Sequence, residues 1–514
     1  MDKTRETLLI LDFGAQYTQL IARRCREEGV FSRIEPWDWH IDEINSIRPI
    51  GIILSGGPNS VYAPGAPRRW KDLAQLGIPI LGICYGMQLM VLGCGGKVSP
   101  GQTREYGRAE IEITAHSRLL SGLNHREPVW MSHGDQVERL SNQLHQVALS
   151  DSGIPAAVEA PERGWYGVQF HPEVSHTPSG DRILRNFLYD ICQARGGWTM
   201  SRFAQEAVIQ VRETVGNGSA ICALSGGVDS SVVATLAHQA IGNRLRCVFV
   251  DNGLLRKSEA QQVMEVFQPR FGECLTMVDA GREFLADLAG IPHPEEKRRK
   301  VGGRFIEVFR REAVAFGKAE FLVQGTIYPD VIESASSRGP AEVIKTHHNV
   351  GGLPAELGFK LIEPLRDLFK DEVRQVGREL GLPESILMRH PFPGPGLSVR
   401  ILGEVTAEAV IILQEADAIF ISELRQAGWY ERVSQAFAVL LPVKSVGVMG
   451  DGRTYEQVVA LRSVDTRDFM TADFSPLPHE LLARIASRIA NEVRGVNRVV
   501  YDVTSKPPAT VEWE

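Results

Sequence analysis

Short apolar runs alternate with helical patterns along the N-terminal part of the chain. The runs Leu8–Asp12, Gly51–Leu54 and Ile78–Cys84 are typical of strands buried on both faces, and Ala15–Glu28 has apolar residues at helical spacing. This alternation predicts a parallel sheet covered by helices, which is an α/β domain. Two later predicted strands of this domain, each ending in polar residues, are Val129–His133 and Gly167–His171.

A second alternation of the same kind begins after the segment Arg195–Met200 interrupts the first. It predicts another parallel-sheet α/β domain. Its predicted strands are Ala220–Leu224, Leu245–Val250 and Cys274–Val278.

The C-terminal part mixes helix and strand patterns. It begins with a stretch too rich in proline for a helix or a central strand, Pro391–Gly396. A helix is predicted over Ala407–Ala427, with Thr406 as its N-cap and Gly428 as its stop, and strands are predicted near Val443–Gly450 and Val496–Val503. These elements indicate a small α+β domain. The predicted domains are 1–199, 200–389 and 390–514.

Composition restricts the classes of protein that this chain can represent. With 514 residues, 43% hydrophobic and 23% charged, the chain has the composition of a folded protein of several domains. A net charge of −7 is not typical of a protein that binds nucleic acid, and no apolar run has the length of a membrane span. Seven cysteines without a CxxC pair suggest neither a disulfide framework nor a zinc site, and favour a reducing cytoplasm.

One cysteine stands where a predicted strand ends and a helix begins. Cys84 is flanked by Gly82 and Gly86, which allow the sharp turn that exposes a nucleophile. The positive end of the helix dipole favours a thiolate there. His171, at the end of another predicted strand, is the candidate base, and Glu173 can orient its ring. The candidate oxyanion donors are the amides of Gly57 and Tyr85.

A plainer interpretation treats Cys84 as a buried apolar residue and His171 as a surface histidine. Together, however, Gly82–Gln88 and Phe170–Glu173 resemble the triad-type glutamine amidotransferase family. The resemblance implies hydrolysis of glutamine through a thioester on the cysteine. The residues that it places near glutamine are Gln88 and His133. The other six cysteines are interpreted as core residues.

A glycine turn joins the predicted strand Ala220–Leu224 to a helical pattern over Val232–Ala240. Unpaired amides and the helix dipole make such a junction an anion site. A glycine pair alone has a steric explanation, but hydroxyls that donate to phosphate oxygens and a carboxylate that holds Mg²⁺ make this turn more specific. The residues of the turn are Ser225, Gly226, Gly227, Val228, Asp229, Ser230 and Ser231, with Asp229 as the metal ligand.

The turn lacks the lysine of a Walker loop and resembles the signature of ATP pyrophosphatases, which cut ATP between the α- and β-phosphates. The resemblance implies that AMP is transferred to a carbonyl oxygen, which makes it a leaving group for ammonia. The next predicted strand ends at the level where α/β sheets bind ligands, so Val250 is a candidate adenine contact.

Three further segments bear on the acceptor of the ammonia. Pro294–Lys300 is a charge run that would equally suit a solvated helix face, and His390–Leu397 is either a rigid linker or the wall of a flat pocket. Lys506–Glu514 is either a frayed tail or a phosphate-binding one. With the two motifs, these segments resemble the family of glutamine-hydrolysing GMP synthases over essentially the whole chain.

This resemblance implies XMP as the acceptor, ATP and glutamine as co-substrates, and a homodimer formed through the C-terminal domain. The candidate XMP contacts are Arg298, Lys506 and Glu512. The polar, glycine-ended segment 330–352 is typical of a lid and would close over ATP and XMP, although an ordinary insertion or a metal site at His347 and His348 are alternatives. The candidate lid residues are Asp330, Glu333 and Lys345.

Two other functions are compatible with parts of the pattern. Another ATP-dependent reaction, such as NAD synthesis or RNA base thiolation, uses similar pyrophosphatase loops, but the acidic net charge argues against RNA. A non-catalytic nucleotide sensor would need neither the cysteine nor the base. The intact set Cys84, His171, Glu173 and Asp229 disfavours it.

Overall fold

The structure is a computed structural model that describes most of the chain. The described residues are 5–317, 319–331, 358–449, 452–466, 469 and 471–514, without the side chains of 102–104 and 449. The chain divides into two compact units, Met1–Arg202 and Phe203–Glu514. Over these described ranges, no helix is both long and apolar enough to cross a membrane.

The first unit is built on a nine-stranded sheet in the order β2-β1-β3-β4-β9-β8-β7-β5-β6. The first five strands in this order are parallel, and the others pair antiparallel. The strands are β1 (Leu8–Asp12), β2 (Ser32–Pro36), β3 (Gly51–Leu54), β4 (Ile80–Ile83), β5 (Lys97–Ile113), β6 (Arg126–Arg139), β7 (His145–Ser150), β8 (Pro155–Ala160) and β9 (Trp165–Val168).

Helices accompany the parallel part of this sheet. They are α1 (Thr18–Glu27), α2 (Ile41–Ile47), α3 (Trp70–Leu73), α4 (Tyr85–Gly93) and α5 (Gly180–Arg185). The helix α1 begins at Thr18 and not at Ala15 as predicted. The reason is that the Asp12 carboxylate accepts hydrogen bonds from the Gly14 amide at 2.9 Å and the Thr18 hydroxyl at 2.7 Å, which holds the intervening residues in a turn.

The second unit begins with a five-stranded parallel sheet in the order β12-β11-β10-β13-β14. Its strands are β10 (Ala220–Ala223), β11 (Leu245–Asp251), β12 (Leu275–Asp279), β13 (Phe321–Val323) and β14 (Lys360–Ile362). Helix α6 (Met200–Val215) begins in the last residues of the first unit. The other helices of this part are α7 (Val228–Ile241), α8 (Glu259–Phe271), α9 (Gly281–Leu288), α10 (Pro294–Phe316), α11 (Lys370–Glu379) and α12 (Glu384–Leu387).

The remainder of the second unit is a smaller sheet with two helices. These elements are α13 (Ala407–Gln426), β15 (Gln435–Met449), β16 (Gly452–Asp465), β17 (Asp473–Phe474), α14 (His479–Glu492) and β18 (Val496–Tyr501). The predicted N-cap is confirmed, because the Thr406 hydroxyl accepts from the Ala409 amide at 3.1 Å. The predicted stop is also confirmed, since Gly428 follows the helix with a φ of +68°. The predicted fold class, two α/β domains and a small α+β domain, is confirmed.

Candidate active sites

Cys84 lies on a tight turn between β4 and α4. Its backbone is left-handed, with φ 52° and ψ −104°, which is unfavourable for a residue with a side chain. A Cβ added at Gly82 would lie 2.5 Å from the Gly86 carbonyl carbon, and one added at Gly86 would lie 2.4 Å from the Leu54 oxygen. The turn therefore depends on both glycines, as the sequence predicted.

His171 and Glu173 are brought to the same place as Cys84. The His171 Nδ1 and the Glu173 Oε1 are 2.7 Å apart, and the ring is near enough to the Cys84 thiol for the thiol to raise the pKa of His171. A Cβ added at Gly56 would lie 3.2 Å from His171 Cε1 and 3.8 Å from Cys84 Cβ, so both side chains lie over this glycine. The predicted thiol, base and carboxylate thus form one buried arrangement.

The electrostatics of this site favour a charged imidazole. Burial lowers the pKa of His171, but the Glu173 charge and the hydrogen bonds with Cys84 and Glu173 outweigh it and raise that pKa from an ordinary 6.5 to about 10. At neutral pH the ring therefore holds a proton that it can deliver to a leaving nitrogen.

The two proposed oxyanion donors lie beside the turn. A Cβ added at Gly57 would lie 3.3 Å from Tyr85 Cγ, so the two residues are close neighbours. The Tyr85 amide is at the first position of α4, where a helix has no internal acceptor to offer. Among the described hydrogen bonds, neither amide has an acceptor, so both are available to an oxyanion.

Gln88 and His133 are both drawn into the local hydrogen-bond network. Gln88 Nε2 donates to the Asp135 carbonyl oxygen at 3.0 Å. His133 Nδ1 lies 3.0 Å from that same oxygen, and its Nε2 lies 3.1 Å from Glu105 Oε2. The His133 ring is therefore held from both sides.

One buried residue beside the sulfur was not used in the sequence prediction. Gln169 Nε2 lies 3.6 Å from Cys84 Sγ. The signal that could have identified it is a long polar side chain directly after the buried strand β9, two residues before the base.

The predicted phosphate loop joins β10 to α7. Gly226 has a φ of +77°, and a Cβ there would lie 2.6 Å from Val263 Cγ2, so the position requires glycine. The hydroxyls of Ser225 and Ser230 are 2.9 Å apart and bond to loop backbone, and Gly227 caps the helix. The open loop and the helix N-terminus form an anion cradle.

Asp229 and Ser231 occupy different environments in this loop. The Asp229 Oδ2 accepts from Lys370 Nζ at 2.6 Å, while its buried Oδ1 has no partner among the described atoms. Ser231 is fully buried, and its hydroxyl has no partner among the described atoms. Lys370 was not predicted, because it lies 141 residues away in sequence.

Across the described residues, no three His, Cys, Asp or Glu side chains are grouped as a metal site. A single carboxylate still suits Mg²⁺, which is commonly bound through one or two carboxylates and the phosphates of its substrate. The unpartnered oxygen of Asp229 fits that role. Val250, the candidate adenine contact, lies near the end of β11 and is buried.

His390 lies next to a residue that supports the loop. Arg389 Nη1 donates to the Gly226 carbonyl oxygen at 3.1 Å. His390 stacks on Tyr430, its Nε2 lies 2.8 Å from the Tyr430 carbonyl oxygen, and its Nδ1 accepts from the Ala436 amide. Burial, aided by nearby arginine charges, lowers the pKa of His390 to about 4. This histidine is therefore neutral at physiological pH.

The C-terminal segment is bound by fully buried cations. Lys297 Nζ lies 2.6 Å from Glu514 Oε2, and Arg400 forms two hydrogen bonds with Glu512, at 2.8 and 3.0 Å. Arg462 donates to the Thr510 carbonyl oxygen at 3.1 Å. The side chains of all three cations have 0% exposure. The segment is ordered against the fold, and the charge run beginning α10 is not simply a solvated face.

Two of the predicted XMP contacts, Arg298 and Lys506, are each hydrogen-bonded to a backbone oxygen. Arg298 donates to the Glu514 backbone oxygen, while Lys506 donates to the Phe469 oxygen at 2.6 Å. Of the predicted lid residues, Asp330 accepts from the Ile327 amide at 3.0 Å. Outside the described residues lie Glu333, Lys345, His347 and His348.

Comparison with known proteins covers the whole chain. Residues 9–191 match the family model "Glutamine amidotransferase class-I", 202–277 match "NAD synthase", and 422–513 match "GMP synthase C terminal domain". A GMP synthase (glutamine-hydrolyzing) from Phenylobacterium zucineum is 59% identical over 99% of both chains. Proteins of the same description are 54% identical in Brachyspira hyodysenteriae, over 100% of both chains, and in Aquifex aeolicus, over 99% of this chain and 100% of the relative.

Proposed function

The chain belongs to the family of glutamine-hydrolysing GMP synthases, and we propose that its two candidate sites divide the family's reaction between them. Glutamine-dependent GMP synthesis converts XMP, ATP, glutamine and water into GMP, AMP, pyrophosphate and glutamate. The observation that carries the proposal is the buried thiol, imidazole and carboxylate of the first unit. Ammonia released there is consumed in the ATP-dependent step.

In the glutaminase step, Cys84 Sγ attacks the side-chain carbonyl carbon of glutamine. The thiol proton is held on His171, which delivers it to the departing nitrogen, while Glu173 stabilises the imidazolium. Water then hydrolyses the thioester to glutamate. The amides of Gly57 and Tyr85 receive the oxyanion that forms in each half of the step. The proposed contacts of the glutamine substrate are Gln88 and His133.

In the adenylation step, the phosphate loop and the N-terminus of α7 hold the triphosphate of ATP. The C2 oxygen of XMP attacks the α-phosphorus, and the bond to the β-phosphate oxygen breaks to release pyrophosphate. Ammonia then attacks C2 of the adenylated XMP and displaces AMP. The proposed ATP contacts are Ser225, Gly226, Gly227, Val228, Asp229, Ser230, Ser231 and Val250.

We propose Mg²⁺ as the cofactor of this step, held by Asp229 together with the phosphates of ATP. Support comes from the buried Asp229 Oδ1, which has no partner among the described atoms. The ion would neutralise the charge that develops on pyrophosphate. Lys370, which pairs with the other oxygen of Asp229, is placed to exchange that contact for a phosphate.

For XMP we propose Arg298, Lys506 and Glu512 as contacts, with Asp330, Glu333 and Lys345 in a lid. The support is local order, because the C-terminal segment is held by buried cations. Glu512 keeps 21% side-chain exposure beside Arg400.

We also propose a homodimer, a cytoplasmic location and the functional domains 1–199, 200–389 and 390–514. Exposed apolar residues on β15 and β16 support a dimer: Val446 lies opposite Tyr455, and they are 50% and 62% exposed. Seven free cysteines support a reducing compartment. Sedimentation of Val446→Glu beside the unaltered chain tests the dimer, since a charge on this surface should favour the monomer.

The experiment that tests the reaction follows the nitrogen atom. The chain is incubated with XMP, ATP, Mg²⁺ and glutamine labelled with ¹⁵N in its side-chain amide, and the products are weighed by mass spectrometry. We expect ¹⁵N-labelled GMP together with AMP. Release of ADP in place of AMP, or GMP without the label, would contradict the proposal.

A further inference from the structure

A chain of buried hydrogen bonds ends on the Cys84 sulfur. Gln88 Nε2 lies 3.0 Å from the Asp135 carbonyl oxygen and 3.2 Å from Gln169 Oε1, and Gln169 Nε2 lies 3.6 Å from Cys84 Sγ. The two glutamines are 3% and 1% exposed, so water competes little for these bonds. Cys84 is therefore linked to a polar network that is separate from its contact with the base.

The direction of this chain is fixed by its first member. A backbone carbonyl oxygen can only accept, so the Gln88 atom facing Asp135 must be the amide nitrogen. The same nitrogen faces Gln169, which must present its oxygen there and its nitrogen to the sulfur. A reversed Gln169 amide would place two donors against each other. The arrangement thus delivers an N–H group to Cys84.

The polar neighbours of the sulfur favour different forms of it. The Ser132 carbonyl oxygen, 3.7 Å away, can accept only from the protonated thiol. His171 exchanges the proton. Gln169 moves no proton, and its N–H donates most strongly to a negatively charged sulfur.

We propose that Gln169 is a further catalytic residue of the glutaminase step, whose side-chain amide stabilises the Cys84 thiolate while the proton is on His171. This inference rests on the proposed role of Cys84 as the nucleophile. When the carbon–sulfur bond forms, the sulfur loses its charge and the contact weakens. The hydrogen bond from Gln169 to the sulfur is restored when water releases glutamate and the thiolate returns.

The test compares variants of the full-length chain. Gln169→Met keeps the size of the side chain and removes the donor, and Gln169→Glu places a carboxylate beside the sulfur. The matched control is Gln143→Met, which removes a glutamine amide bonded to the Cys94 carbonyl oxygen at 3.3 Å. The measurement is the pH dependence of Cys84 alkylation by iodoacetamide, read from the mass of the Cys84 peptide.

We expect the alkylation midpoint to rise by about one pH unit in Gln169→Met and further in Gln169→Glu, and to stay unchanged in the control. The kcat of glutamine-dependent synthesis should fall about tenfold in Gln169→Met, with ammonia-dependent synthesis unchanged. An unchanged midpoint in folded Gln169 variants would overturn the proposal.

Two further results separate the proposal for Gln169 from an error in the role of Cys84 and from a loss of folding. If Cys84→Ala retained glutamine-dependent synthesis, the proposed nucleophile would be wrong, whatever Gln169 does. If both Gln169 variants lost the near-UV circular dichroism of the unaltered chain, a high-resolution structure of that chain would decide. The amide nitrogen at the sulfur supports the proposal, and the amide oxygen there overturns it.

Discussion

The thiol site of the first unit and the phosphate loop of the second differ in how much of their chemistry the protein itself supplies. Cys84, His171 and Glu173 are 6%, 4% and 1% exposed, and the pKa of His171 is raised by both of the other side chains. In the loop, Ser225 is exposed and Ser230 is half-buried, and their hydroxyls bond to the loop. One site is closed and assembled, whereas the other is an open cradle.

This difference follows from what each site has to bind. A thiol becomes a nucleophile only if its base is already beside it, so the protein must position both before the substrate arrives. A triphosphate brings its own charge and Mg²⁺, so a loop needs mainly amides, hydroxyls and one carboxylate. We therefore expect changes at the thiol site to affect one source of nitrogen, and changes in the loop to affect every ATP-dependent step.

The largest expected effect separates the two sites most directly. Cys84→Ala should reduce glutamine-dependent GMP synthesis by at least about a thousandfold, because the thioester cannot form. Ammonia-dependent synthesis should remain close to that of the unaltered chain. Cys94→Ala, at another buried cysteine of the same unit, is the control. Loss of both activities in a folded Cys84→Ala protein would contradict two separable sites.

The complementary change removes the carboxylate of the loop. Asp229→Ala should lower AMP formation by at least about a hundredfold with either nitrogen source, while basal glutaminase activity persists. The control is Asp287→Ala, which breaks an ion pair with Arg304 elsewhere in the second unit. If AMP release were unchanged, the assignment of the loop would be wrong.

A smaller change tests how the thiol site holds its proton. Glu173→Gln should slow glutaminase activity by roughly ten- to a hundredfold and move its alkaline limit down from near the pKa of His171, about 10, toward 6.5. The raised pKa of His171 also contributes to the stability of the folded chain. This stabilisation is fully present below pH 6.5 and is lost as the pH rises through about 10. Glu138→Gln, at an exposed glutamate of the first unit, should shift neither property.

The half-buried histidine of the second unit, His390, should respond to acid and not to base. Because the pKa of His390 is lowered to about 4, the unfolded chain binds a proton between pH 6.5 and 4 that the folded chain excludes. Its stabilising contribution is present above pH 6.5 and is lost through about pH 4, an effect of roughly 1–3 kcal/mol. Between pH 6.5 and 4, the melting temperature should fall more steeply with decreasing pH for the unaltered chain than for His390→Gln. The same pH dependence in both proteins would contradict a neutral ring at His390.

The sequence predicted local features better than long-range contacts. The strands β1 and β3 have the predicted bounds, because continuous apolar runs identify parallel strands buried on both faces. The long antiparallel pair β5 and β6 was largely missed, since its residues alternate between partly exposed and buried positions. The mixed part of the first sheet therefore could not be predicted from apolar runs.

The candidate sites show the same division. Cys84, His171 and the phosphate loop are visible in sequence because each belongs to a short strand-end motif. The contacts of Gln169 with Cys84, Lys370 with Asp229 and Arg400 with Glu512 span 85, 141 and 112 residues. No local pattern specifies such a partner, so these contacts require the fold.

The left-handed backbone of Cys84 lowers the stability of the fold at the same position that supplies the reactive thiol. A φ of 52° costs a residue with a side chain about 1 kcal/mol or more, and only glycine adopts it freely. Replacing the cysteine by glycine should therefore give a protein that lacks glutamine-dependent synthesis and melts at a higher temperature than its alanine counterpart. The most heat-resistant form of this turn is then one that cannot release ammonia from glutamine. The native cysteine is less stable there, but it supplies the nucleophile.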